Sequence, residues 1–430
     1  LQPAARVFAG LEGVNLHVAS EAPVARDYEA SEMQLLLEEV CCDLSRFEHL
    51  TRDGLRPEQV EIRREHYLGP PQRFADIRVA PVGQPHYFIE IKTGSSDEAV
   101  VSSLLRKYAQ PTAEIAQANR LVVVIDRERR PNWPRAHQEL IEKLPPTLQL
   151  EIWDRATMLE MMQRHFRIEV RELSLEVLLD IRQAIDVAKG YYAFGGPSPE
   201  EYVHDPLQAS LLWHFSFWQL RQLRELHNLS PRNMMRPGIY RGVAVILADL
   251  SSFSSFVRDT PYPEIIRASL TSFYSKTRDQ IVNSGGVLSQ FVGDEVVGIF
   301  GLPQKEPGFV RCAYEAAQAM LDIGLSVSSS WQQQIDRVQA TSGLHIGMAI
   351  GDLQVVSLRP FSRMHMGVIG DCVNVAARLM SVAGSGEIVV TNSFHQQLEE
   401  CQRQDFHEID AVEAKNVGRI KAWKAAVHRE

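Results

Sequence analysis

Two aspartates, Asp249 and Asp294, stand where carboxylates can hold metal ions for phosphate chemistry. The apolar run Val243 to Leu247 reads as a strand that delivers Asp249 at its end. Further on, Gly293-Asp294 sits between the β-type runs Val287–Val292 and Glu295–Phe300, and a two-residue Gly-Asp connection favours a primed hairpin turn with φ above zero. Held side by side, such a pair would keep two Mg²⁺ or Mn²⁺ ions ~4 Å apart, clamping the attacking and leaving oxygens of an in-line phosphoryl displacement. Taken singly, each residue also has an ordinary reading, Asp294 as a turn residue and Asp249 as a helix cap.

The elements that must position the pair are legible in the pattern. Ile266, Leu270, Phe273, Thr277 and Ile281 recur at helical spacing, Pro263 suits the first turn, and Gly285-Gly286 ends the helix. A strand, a helix and a hairpin in one sheet can set the end of the first strand beside the hairpin turn. A long helix from Val310 to about Ile335 follows, then a strand in LHIGMAIGD, 344 to 352. In the stretch 366 to 384, Asp371 reads as an N-cap, and Asn374 and Arg378 lie four apart on one helix face. An Arg and an amide aimed together can stabilise a pentavalent phosphorus, whereas alone they read as surface groups on an alanine-rich helix.

A second constellation lies nearer the N-terminus, with Asp76 in FADIRV and Glu90 and Lys92 in YFIEIKTG. Side chains alternate along a strand, so Glu90 and Lys92 face the same way and both can reach a metal held by Asp76. This layout suits metal-dependent phosphodiester cleavage, and its plain alternative is an exposed edge of alternating charge. The stretch resembles the restriction-endonuclease-like superfamily, whose motif is an Asp followed by Glu-x-Lys. Strands at 121 to 126 and 150 to 154 suit that fold, and such a domain can equally be a silent sensor or scaffold. Arg127, Arg129, Arg130 and Arg135 are interrupted by Asp126 and Glu128 and read as a solvated loop.

Composition bounds the rest. A chain of 430 residues, 45% hydrophobic, exceeds one ordinary core and implies two domains with a connector. The net charge of −9 argues against a general electrostatic grip on nucleic acid or anionic membrane, leaving only a local basic patch open. The 5 cysteines show neither metal-ligand spacing nor an even disulfide framework, which points to a reducing cytoplasm. No apolar run reaches the roughly 18 to 20 residues that span a bilayer. The chain opens on Leu1, so a preceding targeting segment is left open. The expected division is an N-terminal arm at 1–30, an α/β domain at 31–170, a helical connector at 171–239 and a second α/β domain at 240–430. The connector holds one aromatic-rich helix from Pro206 to His227, read as a dimerisation helix in preference to a core helix of the N-terminal module.

The ordered set from about 240 to 424 resembles the class III nucleotidyl cyclase catalytic domain. The resemblance rests on Asp249 followed by Phe253, the Gly293-Asp294 hairpin, Asn374 with Arg378, and Lys415 near a glycine. It implies a ferredoxin-like βαββαβ palm and two divalent ions, Mn²⁺ or Mg²⁺, held by Asp249, Asp294 and the carbonyl of Leu250. Backbone amides of Ser252, Phe253 and Ser254 would cradle the triphosphate. Asn374, Arg378 and Lys415 would serve catalysis, with Asn374 and Arg378 reaching across a homodimer interface. The implied reaction is attack of the ribose 3′-oxygen on the α-phosphorus, with pyrophosphate leaving. Where the purine cyclases of the family read the base, this chain has Gln290 and Gly367, and neither purine code is present.

That departure resembles the bacterial pyrimidine cyclases of Pycsar anti-phage signalling. It implies UTP or CTP as substrate and a downstream effector that senses the cyclic nucleotide. The alternatives are an adenylate or guanylate cyclase, a diguanylate cyclase relative, against which the Asn374–Arg378 helix argues, and a degenerate nucleotide-binding module.

Overall fold

The computed structural model describes residues 23–427 apart from 71, 95, 111, 199–200, 336–337, 340, 359–364 and 415–416. Among these the chain builds two sheets, one of five strands and one of eight.

The N-terminal module opens with helix α1 (Pro23–Arg52), which starts earlier than the Ser31 expected from the sequence and takes up part of the span read as an arm. Strands β1 (Val60–Gly69), β2 (Arg73–Pro81) and β3 (Tyr87–Ile91) form an antiparallel meander, and β4 (Arg120–Val124) and β5 (Gln149–Trp153) extend it in parallel, in the order β1-β2-β3-β4-β5. Every residue of β3 is buried, as befits a strand covered on both faces. Helices α2 (Asp97–Tyr108), α3 (Ala113–Gln117) and α4 (Trp133–Lys143) belong to one side, where Leu104, Tyr108 and Leu140 pack on Phe88, Leu121 and Val123. On the other side α1, α5 (Arg155–Phe166) and the first part of α6 (Leu175–Phe194) pack on Ile77, Ile89 and Val122.

The segment expected as a connector is divided between the two cores. Leu178, Ile181 and Ile185 of α6 join the N-terminal core, while Ala193 joins the second. The single helix expected from Pro206 to His227 is two, α7 (Pro206–His214) and α8 (Phe217–His227). Ser216 breaks it by adopting an extended conformation and accepting a hydrogen bond from the Gln219 amide, a side-chain cap that competes with helix continuation. Phe217, Trp218, Leu220 and Leu223 are buried against the second sheet, so α8 is a core helix and not the free dimerisation helix expected.

In the second domain, β6 (Gly238–Leu250) runs centrally, followed by the short α9 (Phe253–Asp259), α10 (Pro263–Asn283), β7 (Val287–Val292), β8 (Glu295–Phe300), α11 (Phe309–Gln334) and β9 (Leu344–Leu358). The sheet order β9-β6-β8-β7, all antiparallel, is that of a βαββαβ palm. Strand β10 (His365–Ile369) pairs with β9, α12 (Asp371–Met380) follows, and β11 (Glu387–Thr391) lies parallel to β9. After the single turns α13 (Asn392–His395) and α14 (Glu400–Arg403), β12 (Phe406–Ala414) and β13 (Gly418–Ala426) complete the edge.

The alternation of β6 sorts the core. Ala244, Ile246, Ala248 and Leu250 face α10 and α11, while Val243, Val245 and Leu247 face α8 and α12. Helix α12 lies so close to β9 that a Cβ at Gly347 would run into the Ala376 carbonyl and the Met380 amide. Gly347→Ala is therefore expected to destabilise the protein by about 1–3 kcal/mol or more, since backbone must move to admit the methyl. A denaturant midpoint equal to wild type would show that α12 is not fixed by this contact.

Candidate functional site

The register that holds the palm together also gathers the acidic pair. Asp249 is the penultimate residue of β6, directly opposite Glu295 on β8 and His345 on β9. Asp294 is the second residue of the β7–β8 turn, whose first residue, Gly293, has φ +63, as the turn chemistry requires. The two aspartates are close neighbours. Burial and then the Asp249 carboxylate raise the Asp294 carboxyl to about 6, with a side-chain hydrogen bond between the two adding to the effect. Burial, followed by the same Asp249 charge, also raises Glu295. Mutual repulsion of this kind is relieved by a proton or by a cation.

The residues fit divalent ions of the Mg²⁺ class. Among the described residues no group of three or more His, Cys, Asp or Glu side chains forms a metal cage. Mg²⁺ needs none, because it is commonly held by one or two carboxylates with water and substrate phosphates completing its shell. Leu250, the last residue of β6, places a backbone carbonyl next to Asp249.

Ser252 turns the chain sharply after β6, with φ +62. Its hydroxyl lies 2.6 Å from Thr341 Oγ1, and its side chain does not cap α9, which begins at Phe253. The first-turn amides of α9, including that of Ser254, thus have no side-chain cap. The Phe253 side chain is a core group, packed with Phe256 and Trp331.

Sequence reasoning missed His345. Its Nε2 is 3.4 Å from Asp249 Oδ2 and its Nδ1 is 3.2 Å from Ser251 Oγ. The available signal was its position at the start of the strand that pairs with β6.

Other expected groups are not drawn to the pair. Asn374 and Arg378 lie on the outer face of α12, exposed, while Cys372, Val375, Ala376 and Leu379 face inward. Arg378 donates from Nε to the Glu413 carbonyl at 2.9 Å and from a terminal nitrogen to Ser381 Oγ at 3.2 Å. Asp371 is the first helical residue and Gly370 occupies the cap position, which corrects the expected N-cap. Gln290 is exposed on β7, and Gly367 is on β10, which pairs with β9 and comes near β7. Lys415 lies outside the described residues.

The N-terminal constellation assembles in a different sense. Asp76, Glu90 and Lys92 do meet, with Lys92 Nζ 3.1 Å from Asp76 and 2.7 Å from Glu90. A second lysine, Lys107 of α2, enters the same space, 2.7 Å from Glu90 and 3.3 Å from Asp76. The Tyr108 hydroxyl donates to Glu90 at 2.7 Å, and the Ile91 amide to Asp76 at 2.7 Å. Burial opposes the Asp76 charge, but Lys107 and Lys92 outweigh it and hold the carboxyl well below the usual range. Two buried carboxylates answered by two ammonium groups leave no net charge to attract a divalent ion, so this cluster does not fit a metal. Arg130, expected in a solvated loop, is buried, 2.8 Å from Asp97 and donating to the Lys92 carbonyl at 2.8 Å.

Residues 236–426 match the family described as the adenylate and guanylate cyclase catalytic domain. An adenylate cyclase of Mycobacterium tuberculosis is 27% identical over 187 residues, 43% of this chain and 39% of that protein. An uncharacterized protein of the same species is 29% identical over 148 residues, 34% of this chain and 25% of its own length. The chain thus spans well under half of the curated relatives it matches. Among solved structures, the adenylyl cyclase CyaB from P. aeruginosa aligns with a TM-score of 0.39 and 18% identity, over 46% of this chain and 98% of that one. Among the described residues no helix is long and apolar enough to cross a membrane.

The shared carboxylates predict a pH dependence. A carboxyl raised to about 6 takes up its proton as pH falls through that value, and proton and cation compete for one oxygen pair. Mn²⁺ affinity, measured by calorimetry on the intact protein, should fall by about tenfold per pH unit below 6, where one proton is displaced per ion. In Asp249→Asn the onset should move to lower pH, because the charge that raises Asp294 is gone. An affinity flat between pH 5 and 7 would remove Asp294 from the metal site.

Proposed function

We propose that the cyclase domain of residues 236–426 converts a nucleoside triphosphate, with UTP favoured and CTP next, into its 3′,5′-cyclic monophosphate and pyrophosphate. The observation that carries the reading is the pair of neighbouring carboxylates, Asp249 and Asp294, at one end of the palm sheet. In the reaction the ribose 3′-oxygen bonds to the α-phosphorus as the bond to the pyrophosphate oxygen breaks, and the 3′-hydroxyl proton is lost. Two divalent ions, Mn²⁺ or Mg²⁺, would lower the pKa of that hydroxyl and neutralise phosphate charge.

The chain's own groups have separable tasks in this reading. Asp249, Asp294 and the Leu250 carbonyl hold the ions. The amides of Ser252, Phe253 and Ser254 receive phosphate oxygens at the uncapped start of α9. His345 orients the Asp249 carboxylate it neighbours. The exposed Asn374 and Arg378 act across a two-fold interface, completing the site of a second copy, and Lys415 joins them in catalysis.

Base selection rests on Gln290 and Gly367. A glutamine amide both donates and accepts, which suits the edge of a pyrimidine, while a purine would leave polar edges unpaired at about 1–3 kcal/mol each. The N-terminal module is read as a restriction-endonuclease-like sensor or scaffold without cleavage, because Lys107 takes up the charge that a metal would need. By its resemblance to the pyrimidine cyclases of anti-phage signalling, the protein would serve as a cytoplasmic second-messenger enzyme whose product is read by a downstream effector.

Three outcomes follow. Asp294→Asn and Arg378→Ala should each be inactive alone, with losses of about 10³-fold or more, and should regain activity when mixed, through one lesion-free site per heterodimer. Heterodimers that form and stay inactive would refute the shared site. In competition among the four ribonucleoside triphosphates a cyclic pyrimidine nucleotide should dominate, with Gln290→Lys raising ATP use; a preference for cyclic AMP or cyclic GMP would overturn the base assignment alone. Duplex DNA should survive incubation with the protein and Mn²⁺, and metal-dependent cleavage that vanishes in Lys92→Ala would contradict the silent scaffold.

A further inference from the structure

Helix α10 has two unlike neighbours. On one flank it faces the palm core through Phe273 and Ile281. On the other it is gripped by the N-terminal module through ion pairs that are almost wholly buried. Arg64 of β1, its side chain 3% exposed, donates to Glu38 of α1 at 2.8 Å, to Ser275 Oγ at 2.7 Å and to Asp279 at 3.2 Å. Lys276, with its side chain 7% exposed, pairs with Glu65 of β1 and stands 3.3 Å from Glu38. Glu39 of α1 accepts from Ser275 at 2.6 Å, and Glu65 accepts from Ser326 of α11 at 2.7 Å. Buried pairs of this kind contribute little net stability, yet they fix geometry, because a shift that unpairs either partner leaves a bare charge out of water.

Between these gripped residues and the palm stands Tyr274. Its ring stacks on Phe291 of β7, with centroids 4.1 Å apart and planes at 21°. Its hydroxyl donates to the carbonyl of Gly293, the residue directly before Asp294. One helix turn therefore carries both the handle held by the N-terminal module, Ser275 and Lys276, and the contact that fixes the hairpin turn.

We propose that Tyr274 is a positioning residue for the reaction, and that the N-terminal module sets the place of the Asp294 turn by its grip on α10. The inference rests on the cyclase reading for its catalytic consequence, but the mechanical link stands on the contacts alone. Rotation or sliding of α10 by a fraction of a turn would break the hydrogen bond to Gly293 and let Asp294 leave Asp249. A metal pair tolerates such misplacement poorly, since displacements of about 1 Å can cost about 100-fold in rate. A cleft of about 680 Å³ between the two domains borders the grip, lined by Glu38, Glu65, Lys276 and Ser326. A signal received by the N-terminal module thus has a short physical route to the chemistry, in which α10 is the moving part.

The test uses the full chain. Tyr274→Phe removes the hydroxyl and keeps the ring on Phe291, while Glu65→Gln/Lys276→Gln removes the pairs of Lys276 with Glu65 and Glu38 and leaves Glu38 its partner Arg64. In both, amide hydrogen exchange in the 287–298 hairpin should rise by about threefold or more, with exchange in the N-terminal strands and α12 unchanged in Tyr274→Phe. In turnover, Tyr274→Phe should lower kcat by about tenfold, raise the Mn²⁺ concentration for half-maximal rate, and leave the nucleotide KM within about twofold. Adding the Glu65/Lys276 change to Tyr274→Phe should lower kcat little further, because both act through one contact. Hairpin exchange equal to wild type in both variants, or strictly additive losses in kcat, would overturn the proposal. If the wild type forms no cyclic nucleotide at all, the cyclase reading fails while the exchange measurement still decides the link.

Discussion

Two carboxylates cannot both stay charged side by side in a half-buried site unless something positive lies between them. Much of the second domain serves to keep Asp249 and Asp294 in that unfavourable proximity. Strand β6 is fixed by β8 on one side and β9 on the other, and the hairpin turn that carries Asp294 is pinned by Tyr274 from helix α10. Fold stability from the two apolar cores thus sustains a local electrostatic strain that a proton or a cation would relieve.

The N-terminal module resolves a similar concentration of charge in the opposite way. Asp76 and Glu90 also lie close to charged partners, but those partners are Lys92 and Lys107. The charges of the cluster answer one another. The N-terminal module is joined to the second domain through Arg64, Lys276 and their carboxylates, and through Arg46 of α1, which stacks on Trp218 of α8 at 4.4 Å. In the second domain neighbouring acids face one another, whereas in the N-terminal module they face lysines.

The sequence carried the palm more clearly than the interface between the domains. Asp249 at a strand end and Gly293-Asp294 between two apolar runs are local signals, set by side-chain alternation and turn chemistry, and the structure places them together. Lys107 was not legible, because its meeting with Glu90 depends on how α2 packs across the sheet, which no spacing encodes. Arg64, Lys276 and Glu38 look like ordinary surface charges in sequence, and only tertiary packing buries them. The split of α7 from α8 turned on one serine cap, a competition that periodicity cannot see. His345 was hidden for a related reason, since register across β6 and β9, and not distance along the chain, makes it a neighbour of Asp249.

The most direct measurement is product analysis by mass spectrometry after incubating the purified protein with Mn²⁺ and each ribonucleoside triphosphate in turn, alongside Asp294→Asn. The account predicts a 3′,5′-cyclic nucleotide and an equal amount of pyrophosphate from the wild type, and neither from the variant. Equal turnover by wild type and Asp294→Asn, or release of inorganic phosphate in place of pyrophosphate, would contradict it.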